Sequence, residues 1–288
     1  MLVWEADMGG PLAGVRVVEL VGQGPGPFGA MILADLGADV VAVERPEVAR
    51  RTDTTRLPTN PMMRGKRSVA LDLKDVADVE RLLSMTDRAD VFIDPFRPGV
   101  CERLGLGPDV LGERNSRLIY TRMTGWGQDG PWNQSAGHDI DYIALSGALH
   151  GIGYEGQPPT MPINLLGDFA GGGLVLAMGV ASAIVERFTS GQGQVIDVAM
   201  VDGAAMILGP FFAAAANGFW GERGTNHLDG GSHFYNVYRT ADDRWVAVGA
   251  IEPQFYAELV KRLNVAEDEL LNPSRQNDRS VWPAAKVR

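Results

Sequence analysis

Residues 15–44 read VRVVELVGQGPGPFGAMILADLGADVVAVE, and this stretch decides the fold. Val15–Val21 is a β-branched apolar run of strand length, Pro27–Leu36 has the composition of a helix ending at Gly37, and Asp39–Glu44 is a second apolar run. Strand, helix and strand in so short a span make a β-α-β unit, in which the helix carries the chain back so that both strands run parallel. Working outward, Ser68–Leu73, Val91–Pro95 and Leu118–Met123 repeat the strand signal, with Val76–Thr86 as an intervening helix. The fold class expected is α/β with an open, mostly parallel sheet, and such sheets bind ligands beyond the carboxyl ends of their strands.

Further along, Asp168–Thr189 reads as a long buried helix, Gln194–Val198 as a strand and Val201–Phe219 as a second apolar helix. The uncharged stretches 169–185 and 203–221 inside them are read as core helices rather than membrane spans: the first carries four glycines and the second is broken by Gly209-Pro210. The texture then changes. His227–Thr240 is rich in Gly, His, Tyr and Asn, Trp245–Ile251 is a strand and Pro253–Leu263 a helix, which marks a smaller α+β unit. The division expected is an N-terminal extension (1–10), a large domain (11–200), a connecting helix and linker (201–228) and a small domain (229–288).

The 288 residues include 26 Lys+Arg against 36 Asp+Glu, a formal net charge of −10, which argues against general nucleic-acid affinity. Cys101 is the sole cysteine, so neither an intrachain disulfide nor a thiolate-based metal cluster can form within this chain. Met1–Gly10 lacks a basic segment followed by an apolar core, so secretion and membrane insertion are not expected and a cytoplasmic location is.

Gly22-Gln23-Gly24-Pro25-Gly26 follows a strand and opens a helix, in imitation of a dinucleotide-binding loop. Its glycines alternate, however, and Pro25 and Pro27 remove two N–H donors that a pyrophosphate would use; a tight turn with Pro near the first helical position suits it better. Between Arg45 and Arg67 seven basic residues (Arg45, Arg50, Arg51, Arg56, Arg64, Lys66, Arg67) face two acids, a local balance of +5 that leaves −15 for the rest. Such a patch suits a multiply phosphorylated small ligand or else a solvated loop, and Lys74, Arg97 and Arg103 near later strand ends would extend it.

Of the four histidines, His138 stands at a loop-to-helix junction, in Gly137-His138-Asp139-Ile140-Asp141-Tyr142, where an imidazole suits proton transfer or a structural role. Asp168, followed by Phe169-Ala170 and three glycines, reads as a helix cap or as a nucleophile or base. Glu252 ends a strand before a Pro-initiated helix and is either a cap or a residue that orients a catalytic group.

The series PLAGVRVVELVGQGPGPFGAMILADLGADVVAVERP (11–46), RGKRSVALDLK (64–74), FRPGVCERLGLGP (96–108), LIYTRMTGWGQDGPW (118–132), GHDIDY (137–142), INLLGDFAGGG (163–173) and GQGQVIDVAMVDG (191–203) resembles the family III coenzyme A transferases of the CaiB/BaiF type, and within them the α-methylacyl-CoA racemases. The resemblance implies a Rossmann-like large domain, a small domain and an interlocked homodimer. It also implies a coenzyme A thioester as substrate, with no further cofactor and no metal. Arg45 and Arg103 match positions that hold coenzyme A phosphates. Leu71, Asp72, Leu73 and Lys74, then Phe96, Arg97, Pro98, Gly99 and Val100, then Gly137 and Tyr142, match segments lining the coenzyme A site.

In the racemase branch His138 and Asp168 match the two catalytic bases and Glu252 the residue that orients the histidine, while the backbone N–H of Asp139 is the candidate donor to an enolate oxygen. The activity implied is interconversion of (2R)- and (2S)-2-methylacyl-CoA by 1,1-proton transfer. In the transferase branch the aspartate at the position of Asp168 attacks the thioester instead, and no histidine is required at that of His138. Asp141 stands where the racemases read Asn, and a carboxylate close to His138 would favour its charged form. Family members continue for dozens of residues past the match to Trp282-Pro283, so the small domain is expected to be incomplete and an inactive coenzyme A-binding homologue is a third reading.

Overall fold

The computed structural model describes residues 9–49, 60–265 and 267–287. In chain order the elements are β1 (Arg16–Leu20), α1 (Pro25–Asp35), β2 (Asp39–Glu44), α2 (Pro46–Ala49), β3 (Lys66–Ala70), α3 (Val76–Thr86), β4 (Val91–Asp94), α4 (Val100–Arg103), α5 (Pro108–Arg114), β5 (Ile119–Thr124), α6 (Asp139–Leu145), α7 (Ala148–Gly151), a π-helix (Leu165–Leu174) leading into α8 (Val175–Ser190), β6 (Val195–Ala199), α9 (Met200–Ile207), α10 (Gly209–Ala216), β7 (Tyr235–Arg239), β8 (Trp245–Gly249), α11 (Pro253–Arg262) and α12 (Trp282–Ala285). The chain divides into two compact units, one taking in residues up to Ser146 with Ile163–Ile207, the other Gly147–Pro162 with the chain from Leu208 onward.

The first unit is built on a six-stranded parallel sheet of order β3-β2-β1-β4-β5-β6. Successive side chains point to opposite faces, so Val17, Val40, Val91, Ile93 and Ile119 join one core with α1 and α8. Val18, Leu20, Phe92 and Tyr120 join another beneath α3, α4 and α5. The chain runs outward from β1 to β3 on one side and from β4 to β6 on the other. Between β1 and β4 the order reverses, and the loops that leave their carboxyl ends diverge to opposite faces and open a crevice.

The predicted strands all form, several shifted by a residue or two. Ser68–Leu73 is displaced to Lys66–Ala70, whose register against Val40–Glu44 brings the Lys66 ammonium to Glu19 Oε2 at 2.6 Å and to the carbonyl of Pro27 at 2.9 Å. The helix expected from Asp168 starts earlier, at Leu165, and its first ten residues are π-helical. Glycines permit this wide turn to lie against α9, since a Cβ on Gly171 would stand 2.7 Å from the Ala204 nitrogen. Leu165–Ser190 is long and apolar enough to cross a membrane by length and composition; in the fold Leu176, Ala177, Val180, Ala183 and Ile184 bury one of its faces on the sheet. The single helix expected over 201–219 is two, α9 and α10, with Pro210 in the first turn of the second, where its missing N–H is harmless.

The second unit has a two-stranded antiparallel sheet, β7 with β8, and a core of Phe234, Ala250, Tyr256, Val260, Val281 and Trp282. Within this core His233 Nε2 lies 2.8 Å from the Tyr256 hydroxyl, which itself donates to the Leu271 carbonyl at 2.9 Å.

Candidate active site

A cavity of about 340 Å³ occupies the crevice between the ends of β1 and β4. Gln23 and Gly24 come from the loop after β1 and Pro25 from the start of α1; Pro95 to Pro98 from the loop after β4; Met123 and Thr124 from the end of β5 with Gly125 and Trp126 from the loop that follows; and Gly137, His138, Tyr142 and Asp168 close it. His138 and Asp168, thirty residues apart in the chain, thus face one space.

Each wall has a local cause. The turn after β4 is held by Asp94, whose carboxylate accepts from the Phe96 N–H and the Tyr120 hydroxyl, each at 2.9 Å. Arg97 donates to the Gln134 carbonyl, and Gln134 donates back to that of Pro98, so the FRPGV turn is tied to the loop before His138. Trp126 and Tyr142 pack edge to face with centroids 4.7 Å apart. That contact explains two glycines, because a Cβ on Gly125 would fall inside the Tyr142 hydroxyl and one on Gly137 would stand 2.8 Å from the Tyr142 ring. Burial first, then the nearby Asp168 and Asp141 carboxylates, push the Tyr142 phenol up to about 12.

His138 is the N-cap of α6. Asp141, where the sequence reading placed a charge beside the imidazole, turns its carboxylate back to accept the His138 backbone N–H at 2.9 Å. That is the N3 half of a capping box. The first N–H of α6, that of Asp139, has no place in the helix's own ladder. The Asp139 side chain is buried, and its Oδ2 accepts the N–H of Gly167 at 2.6 Å and that of Asp168 at 2.8 Å. Burial raises its pKa above the ordinary carboxylate range, against the lowering effect of those two N–H donors. The Asp168 carboxylate itself receives the Asn164 side-chain amide at 3.0 Å.

A second cavity, of about 530 Å³, shares Phe96 with the first and lies beyond the ends of β1, β2 and β3. Arg45, Leu71, Asp72, Leu73, Lys74 and Val100 line it, whereas Arg97, Pro98, Gly137 and Tyr142, which the sequence reading assigned to the same ligand site, line the first cavity. Arg103, on α4, is exposed, and its Nη1 stands 3.1 Å from the position of a Cβ on Gly99.

Apart from Arg45, the described basic residues of the patch are engaged with carboxylates. Arg64 forms a forked ion pair with Asp35, Arg67 with Asp39, and Lys66 is buried on Glu19. Arg50, Arg51 and Arg56 lie outside the described residues. Glu252 belongs to the second unit, where it is exposed and its carbonyl accepts the Phe255 and Tyr256 N–H groups of α11.

Sequence reasoning missed Gln23, Met123, Trp126, Asn133 and Met200 among the lining residues. They lie at or just beyond the carboxyl ends of β1, β5 and β6, and the rule that ligands sit at strand carboxyl ends was the signal that would have found them.

Comparison with known proteins gives one consistent result. A family model described as CoA-transferase family III matches residues 12–285. The chain is 50% identical over 278 residues to proteins named alpha-methylacyl-CoA racemase of Homo sapiens and of Mus musculus, with 96% of this chain and 70% of each relative covered. Among solved structures, a CAIB/BAIF family protein from Brucella suis superposes with a TM-score of 0.80 at 26% identity, over 98% of this chain and 78% of that one.

Proposed function

The chain belongs to CoA-transferase family III, and from that premise we propose that it is a racemase of 2-methylacyl-CoA thioesters. The observation that carries this reading is that His138 and Asp168 line one cavity at the switch point of the sheet. Coenzyme A would lie along the adjoining cavity, with its phosphates toward Arg45, Lys74 and Arg103. The FRPGV turn, Gly137 and Tyr142 would lead the thioester to the bases.

Inversion at the α-carbon needs a base on each face. One group takes the α-proton, the C–H electron pair moves into the thioester carbonyl to give an enolate, and the conjugate acid of the other group delivers a proton to the opposite face. Each base ends in the protonation state in which the other began. The enolate oxygen would accept the Asp139 N–H, a donor fixed before the charge develops. The thioester supplies the acidity, so no cofactor is needed. Two chains would assemble as a homodimer.

Incubation of the purified protein with one enantiomer of a 2-methylacyl-CoA in D₂O tests the reading. Deuterium at the α-carbon with accumulation of the other enantiomer is expected. His138→Ala should lower that rate by about 10²- to 10⁴-fold, the usual worth of a positioned acid–base group. The family also contains CoA-transferases, in which the Asp168 carboxylate would act as nucleophile. Acyl transfer that survives in His138→Ala, from a parent that neither exchanges nor inverts, would overturn the racemase reading in favour of that one.

A further inference from the structure

The Asp139 carboxylate has no part in the proton-transfer scheme, yet it is the polar group that links the two halves of the site. Its Oδ2 accepts both the Gly167 and the Asp168 N–H across a sequence separation of 28 and 29 residues. Those N–H groups lie in the first turn of the π-helix, where backbone donors have no partner inside the helix. The other oxygen, Oδ1, is buried without a hydrogen-bond partner. Burying the Asp139 side chain is costly, and the two N–H bonds accepted by its Oδ2 are what offset that cost. Gly167 is shaped to it, since a Cβ there would stand 2.8 Å from Oδ2.

We infer that the Asp139 side chain is the positioning residue that sets Asp168 against His138, so that the proton given by one base and the proton taken by the other meet opposite faces of the same carbon. One residue then serves both ends of the reaction. Its backbone N–H faces the developing enolate oxygen, and its carboxylate holds the backbone that carries the second base. The inference rests on the racemase reading and adds to it a specific division of labour.

The division has a signature that loss of stability does not share. If Asp168 drifts while His138 stays in place, His138 still removes a proton and returns deuterium to the same face, so exchange continues without inversion, and only from the enantiomer that His138 deprotonates. In Asp139→Ala the ratio of inversion to α-exchange is expected to fall at least about tenfold for that enantiomer. Exchange from the other enantiomer should drop with it, in the same pattern as in Asp168→Ala. Asp139→Asn keeps a carbonyl oxygen at the Oδ2 position and puts its amide where Oδ1 has no partner, so it should restore the parent ratio even if its absolute rate is lower. Gly167→Ala, with Asp139 intact, should reproduce the one-sided exchange by driving the carboxylate off both N–H groups.

Amide hydrogen exchange of the peptide spanning 163–170 reads the clamp directly, with protection lost in Asp139→Ala and retained in Asp139→Asn. Unchanged protection in Asp139→Ala, or a parental inversion-to-exchange ratio in it whatever its rate, would overturn the inference. A parent that shows no α-exchange at all would instead remove the racemase reading, and this inference with it.

Discussion

Gly125 and Gly137 flank the site as absences that the Tyr142 ring fills. Gly125→Ala forces the ring off Trp126 or bends the loop after β5, and overpacking of this kind typically costs about 1–3 kcal/mol. Its urea unfolding midpoint is expected to fall by a corresponding amount, and a midpoint equal to the parent's would mean that Tyr142 has room to move. At this scale the sequence was informative about His138 and Asp168, because their residue types and neighbours match a family pattern. It was silent about the Asp139 carboxylate. An aspartate in the first turn of a helix already has a sufficient local explanation, and its true acceptor role is to N–H groups 28 and 29 residues away. Asp141 illustrates the converse: its carboxylate follows the local rule that N3 acids reach back to the N-cap, which neighbouring residues alone specify.

The placement of β3 follows from a pair that hydropathy does not see. Lys66 and Glu19 are 47 residues apart, 2.6 Å from contact to contact, and both side chains are closed to solvent. Burial raises the Glu19 carboxyl and lowers the Lys66 ammonium, so the pair persists only because each compensates the other. Lys66→Met, which strands a buried carboxylate, is expected to destabilise by about 3–5 kcal/mol, while the double change with Glu19→Leu should recover most of that loss. Urea unfolding of the two variants checks this, and equal losses would show that the stranded carboxylate is not their cause.

In the second unit the Tyr256 hydroxyl proton is engaged with Leu271, so His233 Nε2 is the donor and its buried Nδ1 is left without a partner. Burial accordingly pulls this imidazole down to about 4. Because the unfolded value is near 6.5, the unfolded chain binds the proton more readily, and the stability contributed by the neutral ring is complete above that pH and is lost as pH falls through 4. The difference is on the order of 3 kcal/mol. His233→Gln should therefore lose less stability than the parent between about pH 7 and pH 4.5, and parallel losses in urea unfolding would exclude His233 as the source.

At the scale of the molecule, α8 buries one face on the sheet and leaves Met178, Val185 and Phe188 exposed on the other, at 55%, 67% and 83%. Apolar residues at such spacing on one helix face suit the proposed homodimer. Light scattering of Met178→Glu/Phe188→Glu is expected to report a mass halved relative to the parent, and an unchanged mass would take this face out of the interface. Strand and helix periodicities by themselves determined the parallel α/β sheet, because each element of a β-α-β unit is written in consecutive residues. The resemblance carried by ordered motifs supplied the family. Only the tertiary structure decided that residues 147–162 pack with the chain beyond Leu208, that Lys66 and its neighbouring arginines are occupied with carboxylates, and that the loops of β1, β4 and β5 meet His138 and Asp168 around one cavity. Those outcomes depend on strand order and on contacts between distant residues, whose geometry exists only once the sheet is assembled.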